Sequence, residues 1–507
     1  MIGAGAAGIS LTRRLLALGH TVVLLESGGR DYEAPAAALN AGENQGEDYY
    51  GLEDSRLRFF GGTTAIWGGR CAELDPIDLE RRDYVPHSGW PIGWEELERW
   101  YREARPLFGL PPERPEAEVL RSSGVPIPNF DPEILRTPLW TFDRRFNRFA
   151  WESCGDLEAD PRCQIVTHAT VTRIAAGDGA GAVERVEARS LRNGRLTVRA
   201  KGFVLAAGGI ENPRLLLASG LGNSHDQVGR CFMEHPHARG GRIVGGAAWS
   251  LLKAFGRRHR VPGQDLAALI TPAQALQRRE GILNTSLTIV ARQPEGRRQF
   301  IGMKAYSGIK HQMAPTKGGR RLWMATKKAA GWAQRHVDPA RPWLLHKLGR
   351  VDIALLVRAE QAPNPDSRVA LTGERDATGV PRVALDWRLS EIDVRSVAVL
   401  ADALGGEFER LGLGKVEPAA WLESGRWRTD PLISSHPIGG YHHMGTTRMG
   451  ADPKASVTDA DGRVHGIPNL WVAGSSLFPT GSWANPTLTI VALALRTAER
   501  ISQGLAR

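Results

Sequence analysis

The strongest constraint on the fold lies at the start of the chain, in the segment 1–26, MIGAGAAGISLTRRLLALGHTVVLLE. Gly3, Gly5 and Gly8 form a G-x-G-x-x-G pattern, leucines then recur at helical spacing as far as Gly19, and an apolar strand ends at Glu26. Such glycines allow a tight turn and close approach to a pyrophosphate, while an acid about 20 residues further on accepts the ribose hydroxyls. The pattern predicts a dinucleotide-binding α/β unit, and by itself it does not separate NAD from FAD.

The strand that normally precedes such a glycine loop is almost absent, because only Met1 and Ile2 stand before Gly3. This strand is usually central in its sheet, and without it the two neighbouring strands would have unpaired backbone groups. We therefore expect the natural protein to begin upstream of Met1.

Length and cysteine usage limit the class of protein. A chain of 507 residues is too long for one ordinary core, so two domains or a large α/β body with an inserted part are expected. No apolar run reaches the ~18 residues that a membrane span needs. The four cysteines show no C-x-x-C spacing, which favours reduced thiols and a cytoplasmic location.

The positive charge is concentrated in residues 310–350. The whole chain has a net charge of +10, and this segment holds ten Lys or Arg residues and one acid, Asp338. Nearly neutral charge elsewhere disfavours a nucleic-acid-binding protein. Trp323, Trp332 and Trp343 are interleaved with the charges. The segment is either a solvated pair of basic helices or a surface that contacts an anionic membrane or an acidic electron-acceptor partner.

The remaining segments also read as an α/β protein. The glycine pairs in GGTTAIWGG suit a loop against a planar ligand, and FVLAAGG is a buried strand followed by a helix. Between about 236 and 430, alternating segments such as SLTIVARQ and VDIALLVRAEQ predict an antiparallel sheet. The C-terminal part of the chain returns to glycine-rich loops, a strand and a closing helix.

Together these segments resemble the glucose–methanol–choline (GMC) family of FAD-dependent alcohol oxidoreductases. The motifs that carry the resemblance are the N-terminal glycine pattern with Glu26, GGTTAIWGG, AAGGIENPRLLLASGLG, GRCFMEHPH, YHHMGTTRMG and VHGIPNLWVAGSSLFPTGSWANPTLTIVALALR. They cover nearly the whole chain in the family's order. The closing segment is most similar to the pyranose oxidase and bacterial sugar dehydrogenase branches.

The resemblance implies a Rossmann-like FAD-binding domain built from residues 1–80, 150–235 and 436–507. It also implies an α+β substrate-binding domain with an antiparallel sheet at 236–435, and we assign residues 81–149 to a helical and linker segment. The residues expected to contact FAD are Gly3, Gly5, Gly8, Glu26, Gly61, Gly62, Thr63, Trp67, Val171, Ala207, Gly208, Gly474, Ser475, Pro486 and Thr487.

The cofactor is expected to be bound without a covalent link. In some pyranose oxidases a histidine in the loop aligned with TTAIWGG attaches the FAD, and this sequence carries Ile66 there. Trp67 also replaces a smaller polar residue that is common in the family.

The catalytic base is expected within SHPIGGYHHMGTTRMG. The family places its catalytic histidine in H-x-x-G-T, and that spacing selects His442, which leaves His436 and His443 with structural roles or roles behind the site. A zinc site is disfavoured because no cysteine or nearby acid completes a ligand set. The partner of the base is Asn485, before Pro486 at the expected first helical position; a simple helix cap is the alternative.

The resemblance implies that His442 accepts the hydroxyl proton while the carbon delivers hydride to flavin N5, with Asn485 holding the same oxygen. The substrate is expected to be a sugar, a glycoside or another secondary alcohol, and the electron acceptor oxygen, a quinone or a protein. Glu360, Gln361 and His443 are further candidates for substrate contact; for the first two, a buried pair at a sheet edge is the alternative. An NAD-dependent reductase and a non-catalytic flavin-binding protein are the competing functions.

Overall fold

The computed structural model describes residues 1–145, 147–177, 181–309 and 316–505. The helices in these ranges are α1 (Ala6–Ala17), α2 (Ala34–Ala37), α3 (Pro76–Leu79), α4 (Trp94–Leu107), α5 (Glu118–Ser122), α6 (Gly155–Ala159), α7 (Gly208–Ser219), α8 (Ala248–Phe255), α9 (Gln274–Glu280), α10 (Ile301–Gly308), α11 (Lys317–His336), α12 (Ala340–Lys347), α13 (Glu391–Leu411) and α14 (Thr487–Leu505).

The first ten strands are β1 (Val22–Leu25), β2 (Glu43–Gly46), β3 (Arg70–Cys71), β4 (Leu135–Arg136), β5 (Leu139–Phe142), β6 (Cys163–Val166), β7 (Thr170–Ala176), β8 (Val183–Arg189), β9 (Arg195–Arg199) and β10 (Phe203–Leu205). The others are β11 (His237–Val244), β12 (His259–Val261), β13 (Gln264–Ala268), β14 (Thr271–Pro272), β15 (Ser286–Arg292), β16 (Asp352–Arg358), β17 (Arg368–Arg375), β18 (Pro381–Trp387), β19 (Lys415–Pro418) and β20 (Leu470–Val472).

A parallel sheet joins segments that are far apart in sequence. β6 pairs with β1, β10 pairs with β20, and Ile2 bridges both β1 and β10. The amide of Gly3 donates to Leu25 O at 2.8 Å, and the amide of Ala206 donates to Ile2 O at 2.8 Å. Residues 1–3 therefore supply backbone partners to the two neighbouring strands, where the short N-terminal sequence led us to expect unpaired groups.

Helices cover this sheet and bury one large apolar core. The apolar stripe of α1, which includes Ile9, Leu11 and Leu15, is buried, and α1 packs on α14. α4 packs on α14 as well, where Tyr101 Oη and Thr489 Oγ1 are 2.8 Å apart. The helical part of the segment 81–149, which the sequence assigns to neither domain, thus belongs to the core of the sheet unit.

A second core is built on an antiparallel sheet of order β15-β16-β11-β19. The two segments whose alternation predicted such a sheet are direct neighbours in it, with Ser286 opposite Arg358 and Arg292 opposite Asp352. Apolar residues of α13 and α8 cover one face of the sheet. Leu120, Phe130 and Leu139 also lie in this core, so the segment 81–149 is divided between the two units.

A third, smaller sheet combines strands from distant segments of the chain. β17 and β18 form an antiparallel pair, and β2, from the N-terminal part of the chain, adds to β18 in parallel. The sheet packs on α7. Among the described helices, none is long and apolar enough to cross a membrane.

Candidate active site

In the glycine loop of residues 3–8, packing requires Gly3 and Gly8 to be glycine, whereas Gly5 leaves open space beside it. A Cβ on Gly8 would lie 2.0 Å from Gly3 O, and one on Gly3, whose φ is +101°, would lie 2.6 Å from Ala206 O. A Cβ on Gly5 would meet nothing within 4 Å. Gly5 therefore borders open space at the N-terminus of α1, where amide groups and the helix dipole favour an anion.

That space belongs to a cavity of about 240 Å³. Most of the residues that the sequence predicts as cofactor contacts line this cavity. They are Gly3, Gly5, Glu26, Gly61, Gly62, Thr63, Val171, Ala207, Gly208, Gly474 and Ser475. His443 lines it as well, whereas Gly8, Trp67, Pro486 and Thr487 do not. A larger cavity of about 760 Å³, beside α4 and α5, contains none of these residues.

Glu26 holds the glycine loop in place. Its carboxylate accepts hydrogen bonds from the amides of Ala4 at 3.0 Å and Gly28 at 2.9 Å. Burial raises the pKa of Glu26 above its ordinary value, and these hydrogen bonds oppose the shift. Each carboxylate oxygen has two lone pairs, so Glu26 can still accept from a ligand hydroxyl in the cavity.

A buried ion cluster at the cavity wall was not predicted from the sequence. Arg56 and Arg58 both reach Glu211, at 3.3 Å and 3.1 Å, and Asn40 bonds to both arginines. Among the described residues, Nε and Nη1 of the buried Arg56 have no hydrogen-bond partner. Isolated arginines in the stretch DSRLRFF carry no spacing signal, so only the fold reveals that they face the cavity.

Two expected cofactor contacts are placed differently by the structure. The Trp67 ring packs on Phe108, with 6.0 Å between ring centroids, and lies outside the cavity. α14 begins at Thr487, one residue later than expected, and the carbonyl of Pro486 accepts from Ile490 N at 2.8 Å. Pro486 therefore occupies the cap position, and Asn485 lies just before the helix.

The structure brings the expected catalytic pair together. Asn485 Nδ2 lies 3.3 Å from His442 Nε2, although the two residues are 43 positions apart. The His442 side chain is 18% exposed, so its ring is accessible from outside. Tyr441 and His443, on either side of it, line the cavity. The pair therefore stands at the edge of the space that the glycine loop borders.

Glu234 fixes the backbone of the histidine loop. Its carboxylate accepts from the amides of Gly440 at 3.2 Å and His442 at 2.8 Å, and from Tyr49 Oη at 2.6 Å. His443 Nε2 in turn lies 3.0 Å from Tyr49 Oη. His443 is thus engaged behind the loop, and Glu234, within GRCFMEHPH, is a site residue that spacing alone did not reveal.

The environment keeps His442 neutral. Burial lowers the pKa of His442 well below its ordinary value, and the neighbouring His235, His237, His443 and Arg70 lower it further. Burial also lowers the pKa of His443 to about 3.

His436, the third histidine of the motif, accepts a hydrogen bond at its carbonyl from His237 Nδ1 at 2.6 Å.

Glu360 and Gln361 are fully buried and away from the cavity. Glu360 forms a bidentate ion pair with Arg82, at 2.7 and 3.1 Å, and accepts from Asn284 N at 2.7 Å. Gln361 Oε1 accepts from the amide of Glu234 at 2.9 Å. These contacts favour the alternative of a buried pair at a sheet edge over substrate contact.

Across the described part of the chain, no three His, Cys, Asp or Glu residues are grouped to hold a metal ion.

Two family models match this chain. A model described as FAD dependent oxidoreductase matches residues 1–228, and one described as GMC oxidoreductase matches residues 363–494, which contain both His442 and Asn485. The chain's N-terminal part is similar to FAD-dependent oxidoreductases and its C-terminal part to GMC oxidoreductases. The chain is therefore a FAD-dependent oxidoreductase that acts on a CH–OH group of its donor.

Relatives of similar length agree with this similarity. The chain is 26% identical to a 2-methyl-1,2-propanediol dehydrogenase of Mycolicibacterium austroafricanum, over 99% of this chain and 94% of the relative. It is 27% identical to a C-glycoside 3-oxidase of Microbacterium trichothecenolyticum, over 87% and 75%. The fold is similar to that of a pyridoxine 4-oxidase from Mesorbium loti, with a TM-score of 0.55, 18% identity and 98% of both chains covered.

The open space beside Gly5 leads to a prediction about FAD binding. Gly5→Ala is expected to weaken FAD binding by roughly 10- to 10²-fold, because an added methyl costs about 1–3 kcal/mol in a filled site. The protein itself should keep its stability, since the methyl meets nothing in the protein. Titration of the apoprotein with FAD measures the first effect and thermal unfolding of the apoprotein the second. Gly93→Ala is the matched control, because Gly93 also caps the start of a helix, its added methyl would meet nothing within 4 Å, and it lies outside the cavity. Equal FAD affinity of Gly5→Ala and the native protein would contradict the prediction.

Proposed function

We propose that this GMC oxidoreductase oxidises an alcohol group of a sugar, a glycoside or a related polyol to the carbonyl, with His442 as base and Asn485 as its partner. The observation that supports this most is the 3.3 Å approach of Asn485 Nδ2 to His442 Nε2 beside the cavity. A non-catalytic flavin-binding protein would have no need to hold these two side chains together at an accessible edge.

The cavity fits FAD in a Rossmann-like unit. Gly5 leaves room at the start of α1 for the pyrophosphate, Glu26 is positioned for ribose hydroxyls, and the unpaired donors of Arg56 suit an anionic or acceptor-rich ligand. When bound, FAD would accept the hydride from the substrate carbon.

The residues of the chain supply the proton chemistry and the orientation. His442 would accept the hydroxyl proton at Nε2, and its lowered pKa keeps it neutral and able to do so at neutral pH. Asn485 Nδ2 would donate to the same substrate oxygen, which fixes the alcohol before the C–H bond breaks. Glu234 holds the loop that carries His442, so the base keeps one position.

The substrate class is supported by the relatives. A C-glycoside 3-oxidase and a 2-methyl-1,2-propanediol dehydrogenase share 27% and 26% identity with this chain. Both names describe oxidation of a small hydroxyl-bearing molecule. We propose the same for this protein, with oxygen, a quinone or a protein as the electron acceptor.

A substrate panel tests this proposal. Purified holoenzyme is mixed with sugars, glycosides and vicinal diols together with a dye acceptor, with and without oxygen. At least one compound should bleach the flavin under anaerobic conditions and yield a carbonyl product. Reduction by NADH alone would instead favour an NAD-dependent reductase, and failure of every alcohol to reduce bound flavin would favour a non-catalytic flavin-binding protein.

We propose that FAD is bound without a covalent link. Ile66 has no nucleophilic atom, and its buried side chain packs against Trp323 of α11. Acid denaturation should therefore leave the yellow colour in the supernatant. Flavin that sediments with the precipitated protein, seen by absorbance of both fractions, would contradict the prediction.

The basic segment has two different faces. On the inner face of α11, Trp323 is buried, Arg320 pairs with Asp31, and Lys327 Nζ donates to Trp67 O at 3.1 Å. On the outer face, Trp332 is 56% exposed and Leu322 is 43% exposed. The residues 310–315, which also belong to the predicted basic segment, lie outside the described residues.

We propose that the outer surface attaches the protein to an anionic membrane from the cytoplasmic side. The residues proposed for this contact are Arg321, Leu322, Lys328, Trp332, Leu344, Leu348 and Arg350, all of them exposed. Exposed tryptophan and leucine beside basic residues are typical of a protein that binds at a lipid interface. The cytoplasmic side is proposed because the four cysteines show no C-x-x-C spacing in the sequence.

Reversing the charge of Arg321, Lys328 and Arg350 to Glu should weaken binding to anionic vesicles by roughly 10²-fold or more, because each basic residue contributes about 1 kcal/mol near such a surface. Lys327 is left unchanged because it contacts Trp67 O. Vesicle cosedimentation measures binding, and Arg192, Arg195 and Lys201 to Glu form a control of equal charge on an exposed hairpin. If the variant with Arg321, Lys328 and Arg350 changed to Glu binds vesicles as tightly as the native protein, the basic segment is a solvated face. If this variant instead loses turnover with a protein acceptor and keeps turnover with other acceptors, the segment is a docking surface for that protein.

A further inference from the structure

A second histidine stands directly behind the proposed base. His235 Nδ1 lies 2.7 Å from His442 Nδ1, and the two rings meet edge to face at 82° with centroids 4.9 Å apart. His235 follows Glu234 in the motif GRCFMEHPH and is buried. On its other side, His235 Nε2 lies 2.8 Å from Ser482 O and 3.3 Å from Gly481 O.

The partners of His235 determine which nitrogens carry protons. A carbonyl oxygen can only accept, so His235 must carry its proton on Nε2. A neutral imidazole has one N–H, which leaves His235 Nδ1 as an acceptor. Because the two Nδ1 atoms are 2.7 Å apart, His442 must donate from its own Nδ1. The lone pair of His442 is therefore on Nε2, the atom that Asn485 approaches.

We propose that His235 is a positioning residue that fixes His442 in the tautomer whose basic nitrogen, Nε2, faces the substrate alcohol. This proposal rests on the proposed function and adds a residue to its mechanism. In the other tautomer, His442 would present an N–H at Nε2 and could not accept the hydroxyl proton. His235 thus acts through His442 and need not touch substrate or cofactor.

The same loop supports both ends of this arrangement. Ser482 has φ +58°, in the left-handed region, and the carbonyls of residues 481 and 482 meet His235 Nε2. Three residues later the chain places Asn485 beside His442 Nε2. A ring of contacts therefore runs from the loop through His235 and His442 and back to the loop.

No other nearby group in the described part of the chain is placed to take over from His235. Glu234 Oε1 is 4.0 Å from His442 Nδ1, too far for a hydrogen bond. Burial lowers the pKa of His235 to about 4, so it stays neutral at neutral pH. The charged and titratable groups that act on the two rings are Glu360, Arg358, His237, His443 and Arg70. These groups belong to several elements of the fold and remain in place when His235 alone is replaced.

Two amide substitutions separate the two hydrogen bonds of His235. In His235→Asn the side-chain oxygen occupies the position of Nδ1 and can still accept from His442. In His235→Gln the amide occupies the position of Nε2, keeps the bond to Ser482 O and presents no acceptor to His442. Anaerobic flavin reduction should slow by roughly 10²-fold or more in His235→Gln, and by less than about tenfold in His235→Asn.

His259→Gln is the matched control for the loss of a buried histidine. His259 bonds to Ala254 O at 2.9 Å, far from the site, and its replacement should leave flavin reduction unchanged. FAD content and the unfolding midpoint of all three variants show whether the fold is intact. If His235→Gln does not fold, the NMR measurement on the native holoenzyme still decides.

Nitrogen-15 NMR of histidine-labelled holoenzyme reads the tautomer without turnover. In the native enzyme, the His442 Nδ1 signal should be that of a protonated nitrogen and the Nε2 signal that of an unprotonated one. The His442 signals are assigned as those that disappear in His442→Gln. In His235→Gln, His442 should be a mixture of its two tautomers. A protonated Nε2 in the native enzyme, or equal slowing in His235→Asn and His235→Gln, would overturn the proposal. Because the NMR result does not depend on substrate, failure of the proposed function would be seen separately, as absence of alcohol oxidation.

Discussion

Replacing His442 with alanine is expected to slow flavin reduction by roughly 10²–10⁴-fold, the usual contribution of a general base. The His442 side chain is partly exposed at the cavity edge and is not part of an apolar core, so the fold and the FAD content should be retained. Anaerobic stopped-flow measurement of flavin absorbance reports this step alone, because the electron acceptor is absent.

The neighbouring residues provide a graded comparison. Asn485→Ala should slow reduction less than His442→Ala, because it removes one oriented hydrogen bond and leaves the base in place. His443→Gln should have the smallest effect, because its amide can still reach Tyr49 Oη behind the loop. Loss of reduction in His443→Gln with activity retained in His442→Ala would mean that the H-x-x-G-T spacing selects the wrong histidine.

The acid limb of the rate profile follows from the environment of His442. A base must be neutral to accept a proton, so the rate falls when the pH drops below the pKa of His442. Burial, followed by the neighbouring histidines and Arg70, lowers that pKa well below the unperturbed value of ~6.5. The reduction rate should therefore remain constant from neutral pH down through 6.5 and fall only at lower pH. An acid limb centred at or above 6.5 in the pH profile of flavin reduction would contradict this.

The parts of the site that the sequence predicts are those encoded by local spacing. Gly3 and Gly8 are required by the close packing of the turn at the start of α1, and Gly5 leaves the open space that the pattern predicts for a ligand. His442 and Asn485 each lie in a short motif, and the family resemblance was needed to connect them across 43 positions. Sequence reasoning therefore found the groups proposed to act on the substrate.

The supporting residues escaped prediction because they come from unrelated segments. Tyr49, Glu234 and His235 act on the histidine loop through contacts that span between 185 and 394 positions. A single Tyr, Glu or His has no periodicity, and its role depends on which elements the fold brings together. Arg56 escaped for the same reason, since a basic residue in a loop is usually exposed.

Strand pairing and domain limits also depend on long-range contacts and were not predicted from local patterns. β2 lies near the N-terminus and yet completes a sheet with β17 and β18, a parallel pairing that no local pattern indicates. The segment 81–149 reads as a helix followed by a proline-rich linker, but its apolar residues are shared between two cores. Long-range packing decides both features, whereas the alternation of β15 and β16 was sufficient to predict an antiparallel sheet.

Glu360→Gln is expected to lower the free energy of unfolding by roughly 3–5 kcal/mol, because it leaves the buried guanidinium of Arg82 without its counter-charge. Both side chains are fully buried, and glutamine has nearly the same shape as glutamate, so the effect measures the lost charge. Chemical denaturation of the apoprotein, followed by tryptophan fluorescence, reads the change.

A double substitution separates the charge from the packing. Arg82→Met combined with Glu360→Met should recover much of the stability, because replacing a whole buried ion pair by apolar residues is often neutral or stabilising. The KM for the substrate should be the same in the folded fraction of Glu360→Gln as in the native enzyme, because Glu360 faces Arg82 and Asn284 and lies outside the cavity. A raised KM with unchanged stability would reverse this assignment and return Glu360 to the substrate site. In that case the Arg82–Glu360 pair would have to open when the substrate binds.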